Sequence, residues 1–120
     1  MGLRCGRWGK VRVASMVTLL FVSAPTTHAS SENAQAFAIA KQNACLGCHA
    51  MNKKVVGPSF QDIATKYKNN PGANTFLKNK IQKGGSGSWG VVPMPSNAQL
   101  SDAELAILVP WILQGTPSSH

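Results

Sequence analysis

Residues 45–49 read Cys45-Leu46-Gly47-Cys48-His49, and a C-x-x-C-H string is the attachment sequence for c-type haem. Two thiols at that spacing add across the two vinyl groups of a porphyrin, and the adjacent imidazole then lies under the iron. The same letters serve other chemistries, because a C-x-x-C pair also occurs in thioredoxin-like redox sites and as half of a zinc site. A tetrahedral zinc site needs about four ligands, and the region holds no Cys or His besides Cys45, Cys48 and His49. A thioredoxin-like pair follows a strand and opens a helix, whereas residues 32–44 have helical spacing. The string is therefore read as the tether of one covalent haem c, with Cys45 and Cys48 as the attachment points and His49 as an iron ligand.

The amino-terminal end fits that reading. Arg4, Arg7, Lys10 and Arg12 precede an apolar run over residues 13–24, which ends near Thr27-His28-Ala29. This is the pattern of a secretory signal peptide, expected to cover residues 1–29 and to be cleaved after Ala29. The apolar run is well short of the roughly twenty residues that span a bilayer, which argues against an uncleaved anchor or stable insertion. Cys5 lies in the basic leader, so it is not a lipid-attachment cysteine. Arg4 and Arg7 are not a twin-arginine pair, so the chain is expected to cross the membrane unfolded and receive haem outside, in the periplasm.

What remains, residues 30–120, is one small domain with a core marginal on its own. A buried macrocycle tied to the chain would supply much of the missing apolar contact. The formal charge of the whole chain is +8, but four of its twelve Lys and Arg residues lie in the leader. The surplus left is mild and forms no dense basic stripe, so no nucleic-acid partner is expected.

Helical periodicity dominates the domain. A first helix begins at Ser31-Glu32, with Ala36, Phe37, Ala40 and Ala44 as its apolar stripe. A second is expected over residues 59–66 with Phe60, Ile63 and Ala64 on one face, and a third over about 74–83 with Phe76, Leu77, Lys80 and Ile81 on one side. Asn69-Asn70-Pro71-Gly72 separates them, and Gly84-Gly85 stops the third. Residues 84–99 carry neither helical nor strand periodicity and read as an ordered loop or linker. Ser101-Asp102-Ala103-Glu104 is a capping-box pattern opening a final helix, with Leu105, Leu108 and Ile112 on its apolar side and Trp111 nearby. Pro110 removes one backbone donor there, so a kink or break is expected. The fold class is all-α, about four helices around one haem.

The group opposite His49 decides between a reactive open iron and a carrier. Beyond the leader only Met51 and Met94 are methionines. Met51 is two residues from His49 and confined to its side of the ring. Met94 lies in Val92-Pro93-Met94-Pro95, whose prolines restrict the backbone on both sides. The competing readings are a Met that fills a gap in the core, His120 at the end of a polar tail, and a lysine from residues 78–83. His/Met ligation closes the sixth site and raises the potential relative to His/His.

Five stretches then occur together: Cys45-Leu46-Gly47-Cys48-His49, Val56-Gly57-Pro58, Ile81-Gln82-Lys83-Gly84, Gly87-Ser88-Trp89-Gly90 and Pro93-Met94-Pro95-Ser96-Asn97. In this order they resemble the small bacterial class I cytochromes c of the "five-fifty-one" type, over essentially the whole domain. The resemblance implies axial His49 and Met94, a Pro58 carbonyl that accepts the second imidazole proton, and an Asn97 amide that donates to the Met94 sulfur. It further implies a Trp89 indole on a haem propionate and Ile81 against the cofactor. Trp111 is read as core packing. Lys80 stands where the family often has arginine, Ser96 where a second proline is common, and Pro110 where the last helix usually continues.

These residues together imply a periplasmic, monomeric single-electron carrier and not an enzyme. Its redox partners by resemblance are a quinol-oxidising complex upstream and nitrite reductase or a cytochrome oxidase downstream. Met51, Val55, Val56 and Val91 are expected to frame an exposed haem edge, ringed by Lys53, Lys54 and Lys83. The rival readings are a haem subunit of a larger periplasmic complex and an open-site haem enzyme or gas sensor.

Overall fold

The computed structural model describes residues 1–2 and 28–117 of the chain; most of the expected leader, Cys5 included, and His120 lie outside the described residues. Four helices follow in order: α1 (His28–Gln42), α2 (Phe60–Tyr67), α3 (Ala73–Lys83) and α4 (Asp102–Leu113), with a 3₁₀ turn over Cys45–Gly47 between α1 and α2. No strand occurs among the described residues, only isolated bridges. The all-α expectation and the four helix positions are met, although α1 begins at His28, a few residues early.

Side-chain capping sets where two helices begin. Ser59 accepts the Asp62 N–H at 3.0 Å while the Asp62 carboxylate accepts the Ser59 N–H at 3.2 Å, closing a capping box at α2. Ser101 and Glu104 form the box expected at α4. Between α2 and α3, Asn69 takes a left-handed φ of 63° and the Asn70 side chain accepts the Gly72 N–H at 2.9 Å, which turns the chain.

α4 is the hub, packing against each of the other three helices. Leu105, Leu108 and Val109 are almost wholly buried there, together with Trp111 and Ile112. Burial of each such side chain contributes roughly 1.5–3 kcal/mol. They meet Ala36, Ile39 and Ala40 of α1, Phe60 and Ile63 of α2, and Leu77 and Ile81 of α3 in one core.

Of the kink or break expected at Pro110, the break does not occur: α4 is continuous from Asp102 to Leu113. Proline's fixed φ is helical, and its cost is one absent N–H to the carbonyl of Ala106. Buried residues flanking it, Leu108, Val109, Trp111 and Ile112, offset that cost. Three stripe residues are less buried than their spacing suggests: Ala44 lies past the end of α1 and is exposed. Phe37 packs edge-on to Trp111 at a 6.4 Å centroid distance, and Phe76 lies against Tyr67 at 5.3 Å, each with one side open to solvent.

Candidate functional site

The haem string is folded as a single tight turn. Ala44 adopts a left-handed φ of 56°, ending α1 and reversing the chain into the 3₁₀ turn. The Cys45 carbonyl then accepts the N–H groups of both Cys48, at 3.2 Å, and His49, at 2.9 Å. This presents two thiols and an imidazole from five consecutive residues, and all three line one cavity. Both cysteines are free thiols. Burial pushes the Cys45 thiol above its ordinary value, a hydrogen bond to backbone opposes that, and the neighbouring Cys48 adds to the rise.

His49 is buried and fixed on three sides. Its Nδ1 lies 2.7 Å from the Pro58 carbonyl oxygen. A carbonyl only accepts, so Nδ1 is the donor in this contact, and Nε2 is the ring nitrogen left to face the cavity. The ring stacks on Phe60 at 5.5 Å and 24°, and Phe60 in turn meets Trp111 at 5.5 Å. On the other flank lies Gly57, where a β-carbon would stand 2.5 Å from His49 Cε1. The Gly57 N–H donates to the Cys48 carbonyl at 2.9 Å, which holds that glycine in place.

Met94 is held by the far end of α3. Gly85 and Met94 exchange both backbone hydrogen bonds, at 2.9 and 3.1 Å, as a one-residue antiparallel bridge. The carbonyls at a helix carboxyl end lack helical partners, and here the methionine loop supplies them. The Asn97 N–H donates to the Ile81 carbonyl at 2.9 Å, and the Ser96 hydroxyl donates to that of Gln82 at 2.7 Å. Residues 84–99 are thus ordered by α3, and the Met94 loop doubles as its cap.

The cavity holds about 1290 Å³ of space, its open mouth included, and takes its lining from both of these arms. Cys45, Cys48, His49, Pro58, Ile81, Trp89 and Met94 all line it; Asn97 does not. The Asn97 Nδ2 donates to the Pro95 carbonyl at 3.3 Å, not to the Met94 sulfur. Trp89 is partly exposed and lies under the Lys66 ammonium, 4.2 Å from its ring centroid, while Lys66 also donates to the Ser88 carbonyl. Lys80 donates to the carbonyls of Gly85 at 2.8 Å and Ser86 at 3.3 Å, so this lysine orders the loop. Val56, Val92 and Lys54 line the cavity and are exposed, which marks its mouth; Met51 packs on the core and does not line it.

Sequence reasoning missed several contributors. Phe60, Leu108 and Ile112 line the cavity as well as the core, and their helical spacing announced only burial. The Gly84-Gly85 pair read as a helix stop, and nothing in its composition disclosed a bridge to Met94.

These groups fit a covalently tethered haem. Two cysteines free of any disulfide and an imidazole whose Nδ1 is taken by Pro58 enter one largely apolar cavity from a single turn. Gly57 leaves room for the ring that any β-carbon would fill. Among the described residues no three His, Cys, Asp or Glu side chains cluster as a metal-ion site.

The cytochrome c family model matches residues 33–116. Cytochrome c-552 of Nitrosomonas europaea is 51% identical over 75 residues, covering 62% of this chain and 73% of that protein. Cytochrome c-552 of Hydrogenobacter thermophilus is 48% identical over 75 residues, covering 62% and 76%. The crystal structure of Nitrosomonas europaea cytochrome c552 superimposes with a TM-score of 0.63 at 47% identity, covering 66% of this chain and 98% of that one. Thiols, imidazole and cavity thus sit in a fold shared with small electron-carrying relatives, and the chain belongs to the cytochrome c family, in which haem c is bound covalently.

Proposed function

We propose that this chain is an exported, periplasmic single-electron carrier whose haem c is tied to Cys45 and Cys48, with its iron held between His49 Nε2 and Met94 Sδ. The observation that carries the reading is the convergence of two separately braced arms on one cavity: His49 fixed by Pro58 and Phe60, and Met94 fixed by the Gly85 bridge. Bound there, the haem supplies a one-electron couple whose potential a methionine ligand raises relative to bis-histidine.

The chain's own residues supply the rest. The Pro58 carbonyl fixes the imidazole plane and tautomer and increases its basicity. The Met94 loop is tied to α3 through Gly85, Ser96 and Asn97, which keeps the thioether in place in both oxidation states. Ile81, Leu108 and Ile112 exclude water from the cavity. Trp89 and Lys80, which line the cavity, would orient the propionates.

The cavity mouth, with exposed Val56, Val92 and Lys54, suits docking to an acidic redox partner, and the exposed Lys53 and Lys83 would add to the positive charge. A quinol-oxidising complex as donor and a nitrite reductase or cytochrome oxidase as acceptor fit a carrier of this class. Among the described residues no helix is long and apolar enough to cross a membrane.

The test is the isolated protein itself. The haem should remain on the denatured polypeptide, and the reduced protein should titrate as one electron without binding carbon monoxide. Ready carbon monoxide binding would replace the carrier reading with an open-site enzyme or sensor.

A further inference from the structure

The two ligand arms are joined at the surface by one glutamine, Gln99, which reaches Asn43 across 56 residues of sequence. The Gln99 amide nitrogen lies 3.1 Å from Asn43 Oδ1 and 3.4 Å from Asn97 Oδ1. A primary amide carries two N–H donors, one for each acceptor.

The two asparagines sit at the roots of the two ligand arms. Asn43 immediately precedes Ala44, whose left-handed conformation opens the haem string. Its own Nδ2 donates to the Ile39 carbonyl at 2.9 Å, which fixes its side chain with Oδ1 turned to Gln99. Asn97 lies three residues past Met94, and its N–H caps α3 at Ile81. With Asn97 Oδ1 held by Gln99, its Nδ2 is directed back to the Pro95 carbonyl, beside Met94.

We infer that Gln99 is a positioning residue that clamps the Cys45–His49 arm to the Met94 arm, fixing which face of the Asn97 amide is turned to the methionine and slowing release of Met94 from iron. The inference rests on the proposed Met94 ligation. Without the Gln99 donor the Asn97 amide is free to turn over. In Gln99→Glu the reach of the side chain is kept, but a carboxylate with no donor faces two acceptor oxygens.

The experiment uses the haem-loaded protein. Displacement of Met94 by imidazole is followed in the oxidised form through the weak red methionine-to-iron band, alongside nuclear magnetic resonance of the Asn97 side-chain amide. Gln99→Ala and Gln99→Glu should each speed displacement about three- to five-fold, the worth of one exposed hydrogen bond, and shift the Asn97 amide resonances. Asn43→Ala should do the same, and the Asn43→Ala/Gln99→Ala double variant should be no faster than either alone. Unchanged displacement rates, even with a lowered denaturation midpoint, would overturn the inference and leave the carrier reading standing. Fully additive effects of Asn43→Ala and Gln99→Ala would also overturn it. A wild-type protein with no red band would overturn both.

Discussion

Gly84 and Met94 approach so closely that a β-carbon on Gly84 would stand 2.4 Å from the Met94 carbonyl oxygen. Gly84 also holds φ 69° and ψ −148°, a region open essentially to glycine alone. The end of α3 and the position of the candidate ligand are therefore one structural event. Gly84→Ala should cost at least about 2 kcal/mol, from a strained backbone and a clash with backbone atoms. Urea denaturation of the loaded protein reads the loss, and the red band should weaken with it; a wild-type midpoint would contradict the close approach.

Gly57 plays the matching part against His49, and Gly47 of the haem turn serves as a control. Gly57→Ala should destabilise by about 1–3 kcal/mol, because the added methyl displaces the imidazole from Pro58. Nothing lies within 4 Å of a β-carbon on Gly47, so Gly47→Ala should leave the midpoint nearly unchanged. Equal midpoints for the two variants would count against the His49 packing described.

Ser59 is buried at the start of α2, where it both caps the helix and follows the Pro58 carbonyl. Ser59→Ala should cost about 1–2 kcal/mol, measured by the same denaturation.

Glu104 gives a pH-dependent counterpart at α4. Hydrogen bonds from the Ser101 hydroxyl and then its N–H hold the Glu104 carboxyl below its ordinary value. A folded-state value below the unfolded one means the contribution is complete above about pH 4.3 and is lost as pH falls through the folded value. The stability difference between wild type and Glu104→Gln should therefore shrink on acidification. A difference constant from pH 7 to pH 3 would contradict the capping box.

Charge at the cavity mouth should steer encounter. At an ionic strength near 0.1 M the screening length is about 10 Å, so electron transfer to an acidic partner should slow as salt rises. A Lys53→Glu/Lys54→Glu variant should be several-fold slower at low salt and close to wild type at high salt in stopped-flow measurements. Insensitivity to salt would place docking elsewhere.

Local chemistry was legible in the sequence and distant pairing was not. The C-x-x-C-H string, the Ser101-Glu104 box and the helical stripes each depend on neighbours within about one turn, so their spacing discloses them. Pro110 misled because proline's local penalty is visible while the burial of Leu108, Val109 and Ile112 around it belongs to the tertiary fold. Residues 84–99 looked aperiodic because their partners are the carbonyls of Ile81 and Gln82 and one residue of their own loop. The resemblance led to the lining positions of Pro58, Ile81 and Trp89, whereas the Asn97 amide is turned to Pro95 and the Gln99 link to Asn43 had no signal in the sequence.

The most direct test of the carrier reading is carbon monoxide binding to the reduced protein, compared among wild type, Met51→Ala and Met94→Ala, with the red band of the oxidised forms recorded alongside. Wild type and Met51→Ala should keep the band and exclude carbon monoxide, and Met94→Ala alone should lose the band and bind the gas. Carbon monoxide binding by the wild type, or a Met94→Ala variant that keeps the band, would contradict iron held between His49 and Met94.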